Sequence, residues 1–237
     1  VPKTSVVKKI EIYRLGKTTS TNEVAKTLAQ DKKEDFAVVA EEQTEGRGRK
    51  DRSWVSPPGG LYLSLCTGKE PILSLKASLA VAKTLEDLGI IPSLKWPNDV
   101  MVRDKKICGI LVEVLEKKAI VGIGLNIETA PLKDSICLSA LLDEPVSKER
   151  LIKDIIENFS NLENMMDTYR GYSSTIGRLV KIKTPSRILE GRVKDIDEKG
   201  RLVLDDGRKV MAGDVIHLRK NSDRYVFHRK RYDTLTD

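Results

Sequence analysis

Between Ser93 and Ile127 three apolar stretches, Ser93–Trp96, Ile107–Leu115 and Ala119–Ile127, follow one another across short polar joints. Parallel neighbours need a crossover of a dozen or more residues, so joints of this kind favour antiparallel pairing over βαβ units. The middle of the chain is thereby committed to a sheet built by short returns. Upstream, Lys9 to Leu15 reads as a strand, Phe36 to Ala40 as a compact buried strand, and Leu61, Leu63 and Leu65 alternate as a strand should. Ser20-Thr21-Asn22-Glu23 has the Ser-x-x-Glu form of a capping box and predicts a short helix with Val24, Ala25 and Leu28 on one side. Leu75, Leu79, Ala82 and Leu85 mark a second helix face ending near Gly89. Ser147 is placed to cap a long amphipathic helix through Leu151, Ile155, Phe159, Leu162 and Met166.

The texture changes after Tyr172. Five short strand signals, Leu179–Lys183, Ile188–Ile196, Arg201–Leu204, Lys209–Ala212 and Val215–Leu218, are broken by Lys199-Gly200 and Asp206-Gly207. Asp-Gly is a strong hairpin signal. The expectation is a catalytic domain over 1–175, a small β-barrel over 176–220 and a basic tail over 221–237.

A chain of 237 residues with 40% apolar content supports one sizeable core and a small satellite. No apolar run approaches the roughly 20 residues of a membrane span. The first residues, Val1 to Lys9, lack a signal-peptide core, so a cytoplasmic location is expected. Cys66, Cys108 and Cys137 form no CxxC, and with only two histidines, His217 and His228, a metal site is not expected. The net charge of +7 and pI of 9.2 are compatible with nucleic acid, with a site for phosphates and carboxylates, or with a solvated surface.

Three segments carry candidate chemistry. From Glu41 to Pro58 apolar periodicity vanishes, and this loop holds Gly46-Arg47-Gly48-Arg49-Lys50-Asp51-Arg52-Ser53-Trp54. Loops of such length inside a domain are usually functional or disordered. Gly46 and Gly48 free the backbone for sharp bends, Arg47, Arg49 and Arg52 offer planar donor forks for carboxylate or phosphate, and Trp54 offers a face for an adenine. A mobile surface loop has the same composition. The second segment, Lys95-Trp96-Pro97-Asn98-Asp99, reads as a strand closed by a turn, and is followed by Lys106 and Gly109. Asn98 and Asp99 serve equally to stabilise that turn, and Lys106 to guard a strand edge; alternatively Asp99 and Lys106 flank a reacting centre. The third, Gly122-Ile123-Gly124-Leu125-Asn126, leaves one strand face without side chains, for a flat ligand or for a bulge or close sheet packing.

In combination and order, these segments resemble the biotin protein ligases. The resemblance runs from Ser20-Thr21-Asn22 through Gln43, the Gly-Arg-Gly-Arg…Arg…Trp loop, Lys95–Asp99, Lys106-Ile107-Cys108-Gly109-Ile110-Leu111-Val112-Glu113 and Gly122–Asn126. The small C-terminal domain extends it to Leu218. It implies an α+β fold: a mixed sheet flanked by helices, as in class II synthetases and biotin–lipoate ligases, joined to an SH3-like barrel. It implies that biotin and Mg-ATP react to biotinyl-adenylate, from which biotin passes to a lysine of a biotin carboxyl carrier protein. Arg47, Lys106 and Asp99 are then the expected catalytic residues, with Asp99 orienting or deprotonating the acceptor lysine. The biotin site would comprise Ser20, Thr21, Asn22, Gln43, Gly46, Arg47, Gly48, Arg49, Lys106, Gly109, Gly122 and Gly124. The ATP site would comprise Arg49, Arg52, Trp54, Asn98, Lys106 and Asn126. Ser20 can cap its helix and serve the ligand together.

The segment before Ser20 is too short for a helix-turn-helix domain, which predicts no specific nucleic-acid partner. Resemblance alone suggests a homodimer through the exposed sheet. The competing readings are a lipoate ligase or octanoyl transferase, the latter requiring Cys108 as nucleophile, and a nucleic-acid-binding module whose affinity falls steeply with salt. The Glu45–Ser53 segment, basic and without apolar anchors, is expected to be mobile without ligand and to order with it. Limited proteolysis is expected to cut near Arg47 or Arg49 in the free protein and to be suppressed by biotin plus ATP; equal rates in both states would refute this.

Overall fold

The computed structural model describes residues 10–218; the expectations for Val1 to Lys9, for the last two residues of the small domain and for the basic tail over 221–237 lie outside the described residues. Seven strands form one sheet: β1 (Glu11–Thr18), β2 (Phe36–Gln43), β3 (Gly60–Gly68), β4 (Ser93–Lys95), β5 (Asp99–Val102), β6 (Lys105–Val114) and β7 (Lys118–Asn126). Their spatial order is β1-β2-β3-β7-β6-β5-β4. β1 and β2 pair in parallel across a connection that carries α1 (Thr21–Leu28), and every other pair is antiparallel. The sheet is mixed, as expected, and the antiparallel block is the one dictated by the short joints.

Period-two alternation divides this sheet into two unlike faces. On β7, Ala119, Val121, Ile123 and Leu125 enter a core shared with Leu61, Leu63 and Leu65 of β3. That core is closed by α2 (Leu73–Glu86), on which α3 (Lys148–Ser160) and α4 (Met165–Tyr172) pack. The opposite face carries Gly122 and Gly124 of β7, Tyr62 and Ser64 of β3, and Gly109, Leu111 and Glu113 of β6, with α1 packed against β2, β3 and β7. One face is apolar and filled. The other is small and polar around Gly122 and Gly124, beside a second apolar cluster of Ala25, Phe36, Val38, Cys66 and Ile120 under α1.

Five further strands, β8 (Leu179–Lys183), β9 (Ile188–Ile196), β10 (Leu202–Leu204), β11 (Lys209–Val210) and β12 (Asp214–His217), form an antiparallel sheet in the order β11-β10-β9-β8-β12. The hairpin expected at Asp206-Gly207 joins β10 to β11, with Gly207 at φ +85°. This small sheet is tied to the first through Trp96, which is 2% exposed and whose Nε1 donates to the carbonyl oxygen of Gly200 at 2.9 Å. Gly200 sits at φ +71°, and a Cβ there would lie 2.7 Å from Ile72 and 2.9 Å from Leu75. The turn is thus seated directly on the start of α2.

Three expectations need correction. Ser20 occupies the N-cap position with extended backbone, but its side chain makes no cap bond. Glu23, the other half of the expected box, is drawn instead to Lys26 and Arg47. The long helix starts after Ser147, whose side chain makes no cap bond, and stops at Ser160; a separate helix begins at Met165 after Asn164, which adopts the left-handed conformation (φ 45°) that short amide side chains tolerate. Asp99 is not merely a turn residue: it opens β5, pairing with Lys95 and Gly109. Among the described residues no helix is long and apolar enough to cross a membrane.

Replacing Trp96 with Phe removes a buried donor and leaves the Gly200 carbonyl unpaired. Such a loss costs about 1–3 kcal/mol before any cavity is counted. Trp96→Phe is expected to lower the urea midpoint accordingly with an unchanged slope; an unshifted midpoint would show that this bond does not hold the two sheets together.

Candidate active site

A narrow cavity of about 30 Å³ lies between the first turn of α1, the Gly46–Trp54 loop and the polar sheet face; its lining includes Thr21, Gln43, Arg47, Trp54, Gly109 and Gly124. Ser20, Thr21 and Asn22 reach it at the start of α1 and are all buried, at 3–4% exposure. Their polar groups are ordered by a connected set of bonds. The Thr21 amide and hydroxyl both donate to Gln43 Oε1, at 2.9 and 3.0 Å, while Gln43 Nε2 donates to Ser56 Oγ. Ser64 donates to Asn22 Oδ1 at 2.6 Å, and Asn22 Nδ2 donates to Glu113 at 2.8 Å. Such a network is costly if half satisfied and rigid when complete.

The floor of this cavity is the cross-strand pair Gly109–Gly124. Ideal Cβ atoms there would lie 2.9 Å and 2.5 Å from the Trp54 indole, so only glycine admits the ring at this distance. The flat surface expected for a ligand therefore exists, and Trp54 lies on it. The remaining space is about the share of one water molecule in the liquid. Trp54 Nε1 is buried there with no hydrogen-bond partner among the described residues.

Trp54 also borders a second, wider cavity of about 750 Å³, lined by Lys95, Asp99, Lys106, Asn126, Asp134 and Arg178 among others. The Lys106 Nζ lies 2.5 Å from Asp99 Oδ1 and 5.2 Å from the Trp54 ring centroid, so a cation stands beside the wall common to both cavities. A register shift between Val100 and Met101 lets Ile107 and Cys108 both turn inward while Lys106 reaches the other face. Asn126 donates to the Ile136 carbonyl at 3.1 Å. His217, from β12, borders the same space, and burial together with Lys95 and Arg178 pushes its pKa down to about 4, leaving it neutral.

The basic loop lacks apolar anchors but is held by charge at both ends. Arg47 bonds Glu113 at 3.1 and 3.2 Å and also Glu23. Burial pushes the Glu113 carboxyl up, but bonds from Lys26 and Asn22 and the Arg47 charge outweigh it and hold it below the usual range. Arg49 donates to Asn98 Oδ1 (3.0 Å) and to the Gly213 carbonyl (3.3 Å), and Arg52 pairs with Asp214.

The structure brings Thr21, Asn22, Gln43, Arg47, Gly109, Gly122 and Gly124 to the narrow cavity and Asp99, Lys106 and Asn126 to the wider one. Gly46 supports the first from behind: a Cβ there would lie 2.3 Å from the Trp54 carbonyl oxygen. Arg49, Asn98 and Arg52 line neither, and Gly48 sits in the loop hairpin, its amide donating to the Arg52 carbonyl. Sequence reasoning missed Glu113, Ser64 and the 131–135 segment, whose Asp134 carbonyl accepts from the Lys106 amide at 3.0 Å. Glu113 had a legible signal, lying on the Gly109 face of β6 by parity. Cys108 is fully buried on the core face, and burial pushes its thiol far above the usual range, which removes it as a nucleophile.

Two family models match in register with these two sheets: the biotin/lipoate A/B protein ligase family over residues 12–129, and the biotin protein ligase C-terminal domain over 175–218. Fold and site thus define a ligase of the biotin/lipoate class. A biotin–[acetyl-CoA-carboxylase] ligase of Mycobacterium tuberculosis is 35% identical over 77% of this chain and 79% of its own length. The biotin protein ligase of Aquifex aeolicus in complex with biotin and ATP superposes with a TM-score of 0.77 at 28% identity, covering 89% of this chain and 99% of that one. That of Leishmania major in complex with biotinyl-5-AMP gives 0.64 at 25% identity over 90% and 100%. Within that class, the chain belongs to the biotin protein ligases.

With only two tryptophans in the chain, the position of the Trp54 ring is open to fluorescence. Gly124→Ala is expected to lift the indole off the floor and red-shift its emission, a change absent when the same substitution is made on Trp54→Phe. An unchanged spectrum would place the ring elsewhere.

Proposed function

We propose that the chain activates biotin with ATP and transfers it to a lysine of a biotin carboxyl carrier protein. The observation that carries this reading is the meeting of the two cavities at Trp54, with Gly109 and Gly124 on one side and Lys106 on the other. A carboxylate projecting from the narrow cavity would meet an α-phosphate seated in the wider one next to the Lys106 ammonium.

In this reading Thr21, Asn22 and Gln43 hold biotin's ureido ring, and ring entry requires Trp54 to leave the glycine floor. Biotin's carboxylate attacks the α-phosphorus, the α–β phosphoanhydride breaks, and pyrophosphate leaves. Two anions approach in this step, so cations placed beforehand lower its barrier; Lys106 stands at the seam, and Arg47, released from Glu23, reaches it from the loop. The acceptor amine then attacks the mixed-anhydride carbonyl, the carbonyl carbon–phosphate oxygen bond breaks, and AMP departs. Asp99 takes the proton the amine must lose, while its pair with Lys106 keeps that cation in place. Magnesium would be held beside the triphosphate by carboxylates lining the wider cavity, Asp104 and Asp134, and would neutralise part of the phosphate charge.

Removing one preorganised donor typically costs about 3 kcal/mol at the transition state, or roughly a hundredfold in rate. Arg47→Ala and Lys106→Ala are each expected to lose about that much in adenylate formation, measured by pyrophosphate exchange. Cys108→Ala is expected to keep activity with a modest stability loss. An inactive Cys108→Ala beside a normal Lys106→Ala would replace the ligase by an acyl transferase.

A further inference from the structure

We propose that Asp214 of the small C-terminal sheet is a positioning residue for adenylate formation, acting by holding the tip of the basic loop; the proposal rests on the ligase reading above. The tip is a tight hairpin: Arg47 and Ser53 bridge, the Gly48 amide donates to the Arg52 carbonyl at 2.6 Å, and Lys50 and Asp51 turn the chain. Both turn residues are left-handed, at φ 55° and 57°, and neither is glycine. Two consecutive left-handed residues with side chains are unfavourable by themselves. A turn of this kind persists only where contacts outside it over-determine its conformation.

Those contacts come from β8 and β12. Lys50 Nζ lies 3.2 Å from Asp214 Oδ2 and 3.3 Å from the Lys183 carbonyl oxygen, Arg52 pairs with the same Asp214 oxygen, and Arg49 donates to the Gly213 carbonyl. Among the described residues Asp214 is the one carboxylate serving both ends of the turn, and at 19% side-chain exposure it is the least exposed partner in either pair. Gly213 lies close against β8, where a Cβ would come within 2.6 Å of Ile182. Burial pushes the Asp214 carboxyl up, but the Lys50, Arg52 and Arg49 cations prevail and keep it ionised. The base of the loop is tied through Arg47 to Glu113 of β6 and Glu23 of α1. Arg47 and Trp54, which line the narrow cavity, flank the base of a hairpin whose tip is held by Asp214 of the second sheet.

Asp214→Asn in the full chain is expected to raise KM for biotin and ATP about tenfold in pyrophosphate exchange, with kcat changed less than threefold. Cleavage by trypsin at Arg49, Lys50 and Arg52 in the ligand-free protein is expected to accelerate by a similar factor. Lys50→Gln, which breaks the same contact from the loop side and leaves the small sheet intact, is expected to act likewise and to add little to Asp214→Asn. Asp214→Glu restores most of the affinity. Asp51→Gly, which suits the left-handed position without outside help, rescues Asp214→Asn. A merely structural aspartate would lower stability without this KM pattern or the glycine rescue. Unchanged KM and cleavage in both Asp214→Asn and Lys50→Gln would overturn the proposal, as would a lowered KM, which would make Asp214 a competitor of the substrate. If wild-type protein shows no biotin-dependent exchange, the ligase reading fails, while the trypsin arm still decides whether Asp214 holds the loop.

Discussion

Everything in the site depends on one cross-strand pair, Gly109 opposite Gly124. Because side chains alternate along a strand, putting glycine at these positions empties one face while leaving Ile110, Ile123 and Leu125 to fill the other. The same strands thus supply a packed core and an open floor with no loop intervening. A one-residue slip would send Ile123 and Leu125 to the ligand face and the glycines into the core. Register is therefore specified by the apolar face, and the site inherits its precision from it.

The antiparallel block was legible because joint length is a local property: the spacing from Ser93 to Ile127 leaves little alternative. β5 was not, since Asp99–Val102 offers only Val100 and Val102 as inward residues, too few to separate from a turn. The break between α3 and α4 was hidden because Leu162 and Met166 continue the apolar spacing while the interruption comes from the backbone of Asn164. The capping box failed for another reason. Ser20 and Glu23 fit the pattern, but Arg47 and Lys26 compete for Glu23, and no spacing rule contains competitors from elsewhere in the chain.

The narrow-cavity residues were legible only as a combination. Thr21, Gln43 and Gly124 are unremarkable one at a time; the resemblance grouped them, and the strand order that brings them around a common space came only from the structure. Charge partners were the least legible part. Arg52 and Asp214 are 162 positions apart, and a long-range ion pair leaves no periodic trace in either segment. The excess of lysine and arginine over acidic residues is only seven, and many of these cations face carboxylates within the molecule, so the net charge by itself carried little information about partners.

Trp54 is a partition between two compartments, and in the proposed reaction, where the ring leaves the glycines, such a partition links what lies on its two sides. Any displacement of the ring that enlarges the narrow cavity reshapes the wider one, so the free energy of occupying either is a function of the other's state. Thermodynamic linkage makes such an effect reciprocal: whatever factor the first occupant contributes to the second, the second returns to the first. Communication between two substrates therefore needs no change in the strands or in the relation of the two sheets. It needs one indole on a pair of glycines.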